Sequence, residues 1–190
     1  MNPLFDQFFV KNQGSKIFLS FSDLDKTLTY DEFLNEIKCT ANSLKKFGLE
    51  KVDCLVLQIE KSHHVLTIYG ACVQLGIIFI PLNTGYTEFE VEYFLNDSEC
   101  KVFITTSKML KELDSLERKR SFNIETIDAD YKGSFFSNFN ENEPLDFIEG
   151  LDEDDTVAIL YTSGTTGQSK GAMLSQKNLL SNALTLSKAW

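Results

Sequence analysis

From Val65 to Leu82 the chain is apolar except at Thr67 and Gln74, and no other stretch limits the possible folds as strongly. A run of this kind approaches the length a helix needs to cross a bilayer. Gly70, Gly76 and Pro81 interrupt it, however, and its second half is rich in Ile and Phe. A buried helix that starts near Ser62 and stops at Gly76, followed by a buried strand over Ile77–Ile80, accounts for the pattern better than a membrane span.

The same alternation continues on both sides. Ile17–Phe21, the turn SDLDK and Thr27–Thr29 read as a hairpin. Thr29 and Glu32 then form a capping box ahead of a helix, with Phe33, Ile37, Ala41, Leu44 and Phe47 at helical spacing and Gly48 where a left-handed stop belongs. Cys54–Ile59 reads as a strand. Thr87 and Glu90 repeat the capping box for a short helix over Phe89 to Leu95. Lys101–Thr105 is the next expected strand, Ser107 the expected cap of a helix reaching about Lys119, and Phe122–Ile127 a further strand. Asn83, Thr84 and Gly85 supply turn chemistry. Asp128 to Asp155 has no clear period, and Thr156–Tyr161 is again apolar and β-rich. Strands alternating with amphipathic helices predict an α/β fold, a mostly parallel sheet covered on both faces. At 190 residues and 43% apolar content there is room for one ordinary domain with a real core.

Charge narrows the partners. Eighteen basic against 28 acidic side chains give a net charge of −10, and Arg118 and Arg120 are the only arginines. Nucleic acid and an anionic membrane surface both require clustered cations, so neither is an expected partner. Eight carboxylates lie between Glu141 and Asp155 with no cation among them, which predicts a solvated loop or linker. Lys108, Lys111, Arg118, Lys119 and Arg120, interleaved with acids, read as a solvated helix face. Cys39, Cys54, Cys72 and Cys100 form no CxxC pair, and the only histidines are the neighbours His63 and His64. No metal site is expected; reduced, buried thiols in a cytoplasmic protein are. The two histidines open a helix and read as capping or solvent-facing. The amino terminus, MNPLFDQFFV, lacks the basic region and the extended apolar core of a secretory signal.

Chemistry concentrates in Tyr161–Gly171, which reads YTSGTTGQSKG directly after a buried strand. Gly164, Gly167 and Gly171 permit close backbone approach to a ligand, and successive N–H groups in such a loop make an anion-binding concavity. Thr162, Ser163, Thr165 and Thr166 add hydroxyls, and Lys170 adds a mobile positive charge. The Walker pattern fails, because Ser169 stands where it needs glycine. A flexible Gly/Ser/Thr linker shares this composition. The preceding strand and the lysine near the loop's end favour a polyphosphate cradle. Gly171–Ser175 reads as a return strand, and Ser175 as the cap of a helix with Leu179, Leu180, Ala183 and Leu184 on its apolar face.

YTSGTTGQSKGAMLSQKNL resembles the signature loop of the adenylate-forming acyl-CoA synthetases, a superfamily that also holds luciferases and peptide-synthetase adenylation domains. Upstream, LTYDEF, KKFGLEKVDCLVLQI and GIIFIPLN resemble that family's early segments in the same order, so the match covers nearly the whole chain. Within the family, TSGTTGQSKGAMLS followed by SNALTL and Trp190 is most similar to malonyl-CoA synthetases. The resemblance implies a two-step ligation of a small-molecule carboxylic acid with ATP, Mg2+ and coenzyme A, malonate being the favoured acid. It carries phosphate binding onto Thr162, Ser163, Gly164, Thr165, Thr166, Gly167 and Lys170, with Lys170 as the catalytic charge. Many members have Pro at the position of Ser169 and His at that of Gln176. Members generally run well beyond 190 residues. The resemblance therefore implies that residues 1–190 are a partial amino-terminal domain, without the carboxy-terminal remainder and small domain. Such a chain is expected to be inactive by itself and poorly soluble or only partly folded. A non-catalytic nucleotide-binding remnant or regulatory module is the alternative, and an interaction protein using the acidic segment a third reading.

Overall fold

The computed structural model describes all residues except 12–13, 22–25, 114–121, 129–130, 138, 142, 163–168 and 190. Its centre is a six-stranded sheet of β3 (Cys54–Gln58), β4 (Ile78–Pro81), β5 (Val102–Thr105), β6 (Asn123–Thr126), β7 (Thr156–Thr162) and β8 (Lys170–Ser175), in the order β6-β5-β3-β4-β7-β8. All neighbours are parallel except the β7–β8 pair. A separate antiparallel hairpin joins β1 (Ile17–Phe21) and β2 (Lys26–Thr29).

Side chains alternate across the central strands and so supply two cores. Leu55, Leu57, Phe79, Val102 and Ile104 face a layer made by α1 (Pro3–Phe5), α2 (Tyr30–Lys46) and α3 (His63–Leu75). Val56, Ile78, Ile80 and Phe103 face α4 (Glu88–Asp97) and Leu113, the residue after α5 (Ser107–Glu112). A parallel sheet has no wet face, which is why these strands read as nearly continuous apolar runs. The α/β expectation holds, with the parallel sheet flanked by helices.

Local signals act where they were read. The capping boxes at Thr29/Glu32 and Thr87/Glu90 are both formed, the carboxylates accepting from the cap N–H at 2.7 and 2.8 Å. At Gly76 φ is +68°, and a Cβ there would come within 2.9 Å of Leu151 Cδ2, so conformation and packing both require glycine. One cap differs from expectation. Thr106, not Ser107, caps α5, accepting from Met109 N–H, while Ser107 N–H donates to Asp128. That helix ends at Glu112; Arg118, Lys119 and Arg120 lie outside the described residues.

The acidic stretch is not a free linker. Its carboxylates are largely exposed, but its backbone is docked. Gln74, fully buried, donates from Nε2 to the carbonyls of Leu145 (2.7 Å) and Phe147 (2.8 Å), and its own carbonyl accepts from Glu149 N–H. Lys38, Lys46 and Lys51 reach Asp146, Glu143 and Asp155. These exposed ion pairs add little; the buried amide carries the attachment together with bonds such as Leu145 N–H to Lys38 O and Asn42 Nδ2 to Glu143 O. The polar interruption at Gln74 in an otherwise apolar helix is thereby explained. The same end of α3 receives the amino terminus, where Asn2 Nδ2 donates to Val73 O at 2.7 Å and Leu4 and Phe5 are fully buried.

Replacing Gln74 with Leu removes both donors and leaves two strap carbonyls unpaired. Stability to urea is expected to fall by about 1–3 kcal/mol, the scale for half-buried acceptors that lose their donor. A loss below 1 kcal/mol would show that the strap is held elsewhere.

The four thiols are free, and Cys39, Cys72 and Cys100 are buried. Burial pushes all four up from the ordinary 9.0, Cys54 to about 11 and Cys100 to about 12. Between pH 9 and 11 the unfolded chain releases thiol protons that the native chain keeps, so native stability is lost as pH rises through that window. The urea midpoint is expected to drop steadily from pH 8.5 to 10.5; a flat profile would contradict the burial of these groups.

Candidate functional site: the hairpin at the carboxyl edge of the sheet

The carboxyl ends of β3, β4, β5 and β7 lie on one edge of the sheet, the edge at which open α/β sheets bind ligands. Gln58 and Thr105 are register partners there, both buried, and Gln58 Nε2 donates to Asn83 O at 2.9 Å. Asn83 also accepts from Gly85 N–H at 2.8 Å, so the turn expected at 83–85 is an Asx turn. β7 leaves the sheet at this edge.

Its departure is written in the backbone. The N–H groups of Ile78 and Leu82 donate to Asp53 and Leu57 on the β3 side, so by alternation the N–H of Phe79 and position 81 point toward β7. Phe79 registers with Ala158, but residue 81 is proline and has no N–H to offer. Past Ala158 no register partner in β4 remains. Ile159–Thr162 continue as a two-stranded ribbon with β8, in which Tyr161 opposes Gly171 and Thr162 opposes Lys170.

The sequence-derived site residues fall at the tip of this ribbon. Thr162 ends β7 and Lys170 begins β8; both are exposed and face each other across the mouth of the loop. Ser163, Gly164, Thr165, Thr166 and Gly167 lie outside the described residues. Lys170 makes no ion pair with any described residue.

Below the tip, α4 supplies contacts that the sequence did not announce. Tyr161 packs against Phe94 with ring centroids 4.3 Å apart and donates to Asp97 Oδ2 at 2.7 Å. Tyr93 donates to the carbonyl of Ser169 at 3.0 Å. Burial first, then the Asp97 carboxylate, push both phenols up, so they stay protonated donors at neutral pH. A signal existed in the spacing of Tyr93 and Asp97, four apart on one helix face, but nothing local says which strand they meet. Gly171 completes the fit. A Cβ there would lie 2.7 Å from Ile159 Cγ2 and 3.4 Å from the Tyr161 ring.

One expectation changes. His63 and His64 do open α3, but neither caps it nor faces solvent. Their rings are 3.9 Å apart, His63 packs edge-on to Phe21, and His64 lies between Tyr131 and Phe136. His63 Nε2 also meets the Tyr131 hydroxyl at 3.1 Å. Gln176, where many acyl-CoA synthetases have His, is fully buried at the start of α6 (Gln176–Ala189). It accepts from Leu4 N–H at 2.9 Å, a structural bracket between the amino terminus and the segment after the loop. Ser175 caps α6 as expected, accepting from Asn178 N–H.

Gly171→Ala is expected to cost about 1–3 kcal/mol in urea unfolding, the range for overpacking a fitted contact. Adding Ile159→Ala should make the double change less than additive; strict additivity would mean that the two positions do not touch.

Comparison with known proteins places the chain among AMP-binding enzymes, whose family pattern it matches over residues 6–190. It is 31% identical over 166 residues to the 2-succinylbenzoate–CoA ligase of Bacillus licheniformis, covering 85% of this chain and 33% of that protein. It is likewise 31% identical over 159 residues to a feruloyl-CoA synthase of Amycolatopsis, covering 84% and 30%. Apo MatB from Rhodopseudomonas palustris superposes with a TM-score of 0.89 at 35% identity, and its ATP-bound form with 0.87 at 36%. Each covers the whole of this chain and 38% of MatB. The chain thus spans about a third of the length of the relatives it matches. No helix among the described residues is long and apolar enough to cross a membrane.

Proposed function

The chain belongs to the AMP-binding enzyme family, and from that premise we propose that residues 1–190 form the amino-terminal portion of an ATP-dependent acid–CoA ligase whose 161–171 hairpin cradles the phosphates of ATP. The observation that carries this reading is the register of Thr162 against Lys170. It sets a hydroxyl and an ammonium group on opposite sides of a Gly/Ser/Thr loop, at the carboxyl edge of a parallel sheet. Preorganised donors that meet developing charge are the main source of phosphoryl-transfer catalysis.

In the proposed reaction a carboxylate oxygen attacks the α-phosphate of ATP, the bond to the β-phosphate breaks, and pyrophosphate leaves with the electron pair. The thiol of coenzyme A, losing its proton, then displaces AMP from the acyl-adenylate and forms the thioester. Lys170 neutralises charge on the departing pyrophosphate. Thr162, Ser163, Gly164, Thr165, Thr166 and Gly167 hold the β- and γ-phosphates through hydroxyl and backbone N–H groups. Among the described residues no three His, Cys, Asp or Glu side chains converge as a metal site. In this reading Mg2+ accompanies the nucleotide.

Malonate is the favoured acid. Supporting it is the sequence resemblance to malonyl-CoA synthetases, alongside the structural likeness to MatB at 35% identity. The reducing cytoplasm is the compartment we assign, in keeping with four free thiols. The other reading, a non-catalytic nucleotide-binding module, shares the loop and differs only in chemistry.

Pyrophosphate release from ATP by the polypeptide that carries this sequence tests the reading, with malonate, acetate and longer fatty acids compared. Release with malonate is expected to exceed the others, and equal turnover would remove the malonate assignment. Nucleotide binding without any acyl-adenylate would favour the non-catalytic module. Lys170→Ala is expected to slow adenylate formation by about 10²–10³-fold, the scale for losing one charge-stabilising donor; an unchanged rate would take catalysis away from this lysine.

A further inference from the structure

The ribbon that carries the loop has lost its neighbour in the sheet. A two-stranded ribbon alone is marginal in water, and one meant to hold a polyanion has to keep its shape against charge repulsion and solvent. Beyond Ala158 the described side-chain hydrogen bonds to the ribbon come from α4. Tyr93 and Asp97 stand one turn apart on that helix and engage opposite arms: Asp97 takes the Tyr161 hydroxyl of β7, and Tyr93 takes the Ser169 carbonyl just before β8.

The identity of these atoms matters. Packing alone would be served by phenylalanine at 93 and 161, since Phe94 already lies against the Tyr161 ring. The hydroxyls add direction. An anion-binding loop works by turning N–H groups inward, and a peptide flipped the other way sets a carbonyl oxygen against the phosphates. Ser169 immediately precedes Lys170, and its carbonyl is committed to a donor on the α4 side. Gly171, without a Cβ, lets the Tyr161 ring lie across the ribbon toward Asp97.

We propose that Tyr93 and Asp97 are positioning residues of the phosphate loop, a two-point clamp that anchors both arms of its hairpin and keeps the Ser169 carbonyl turned away from bound phosphate. This role rests on the phosphate-loop reading above, and the two can fail separately.

Amide hydrogen exchange followed residue by residue in the polypeptide that carries this sequence, with and without ATP, tests it. Tyr93→Phe is expected to speed exchange across 169–173 at least tenfold while leaving Leu55–Leu57 unchanged, and to weaken ATP binding at least fivefold. Asp97→Ala should loosen the same amides. Asp97→Asn, which keeps an acceptor for Tyr161, should restore wild-type exchange, a rescue that a merely space-filling residue would not show. Exchange at 169–173 within twofold of wild type in both Tyr93→Phe and Asp97→Ala would overturn the clamp, whatever ATP does. A loosened ribbon with wild-type ATP affinity would overturn the positioning role alone. If the wild-type chain gives no ATP-dependent protection around Lys170 although Tyr93→Phe loosens the ribbon, the phosphate-loop reading falls, and the positioning role with it.

Discussion

Every N–H buried in a parallel sheet has to find a carbonyl, because no water reaches it and an orphan costs on the order of 1–3 kcal/mol. That requirement holds β3, β4 and β5 in tight register, with both faces covered by helices. It also decides where the sheet must stop. Proline in an interior strand is ordinarily excluded for want of a donor. Here Pro81 falls at the last residue of β4, on the side that faces β7, and the ladder between them ends after Phe79 and Ala158. A single missing hydrogen therefore separates a rigid platform from a ribbon that projects past it.

Buried amides do the complementary work of attachment. Gln74, Asn2 and Gln176 are almost wholly buried, and each spans segments far apart in sequence: α3 to the 145–149 strap, the amino terminus to the end of α3, and α6 back to Leu4. An uncharged amide suits this better than an ion pair, since it satisfies backbone carbonyls or N–H groups without the desolvation penalty of a charge. The strap's carboxylates stay in water, and the strap keeps its place through its backbone.

What could be read ahead of the structure was what is local. Thr29 with Glu32, Thr87 with Glu90, and the glycines at 48 and 76 announced their helix ends because cap and turn chemistry acts over four or five residues. The strands announced themselves because both faces are buried. Other features depend on distant partners and carried no local mark. Pro3–Phe5 is too short for a helical period, and its burial depends on Val73 and Gln176. The 141–155 segment looked like a linker because its charges dominate its composition, while the group that docks it sits in another helix. Thr106 displaced Ser107 as a cap because Asp128, far along the chain, claims Ser107. Of the candidate site, the loop and Lys170 were legible as a motif, whereas Tyr93 and Asp97 looked like ordinary helix-face residues.

On the proposed reading, the hairpin faces conflicting demands as a phosphate-binding element. Its base must be fixed closely enough to aim small donors at charge that develops during reaction, and its tip must let a nucleotide enter and pyrophosphate leave. Continuing the β4 ladder to the tip would meet the first demand and defeat the second. Ending the ladder with no substitute would do the reverse. The observed solution ends it at Pro81 and replaces it with side-chain contacts from α4, whose bonds reach only as far as Tyr161 and Ser169. The side-chain bonds from α4 thus end at Tyr161, one residue before Thr162, on one arm and at Ser169, one residue past Lys170 toward the loop, on the other.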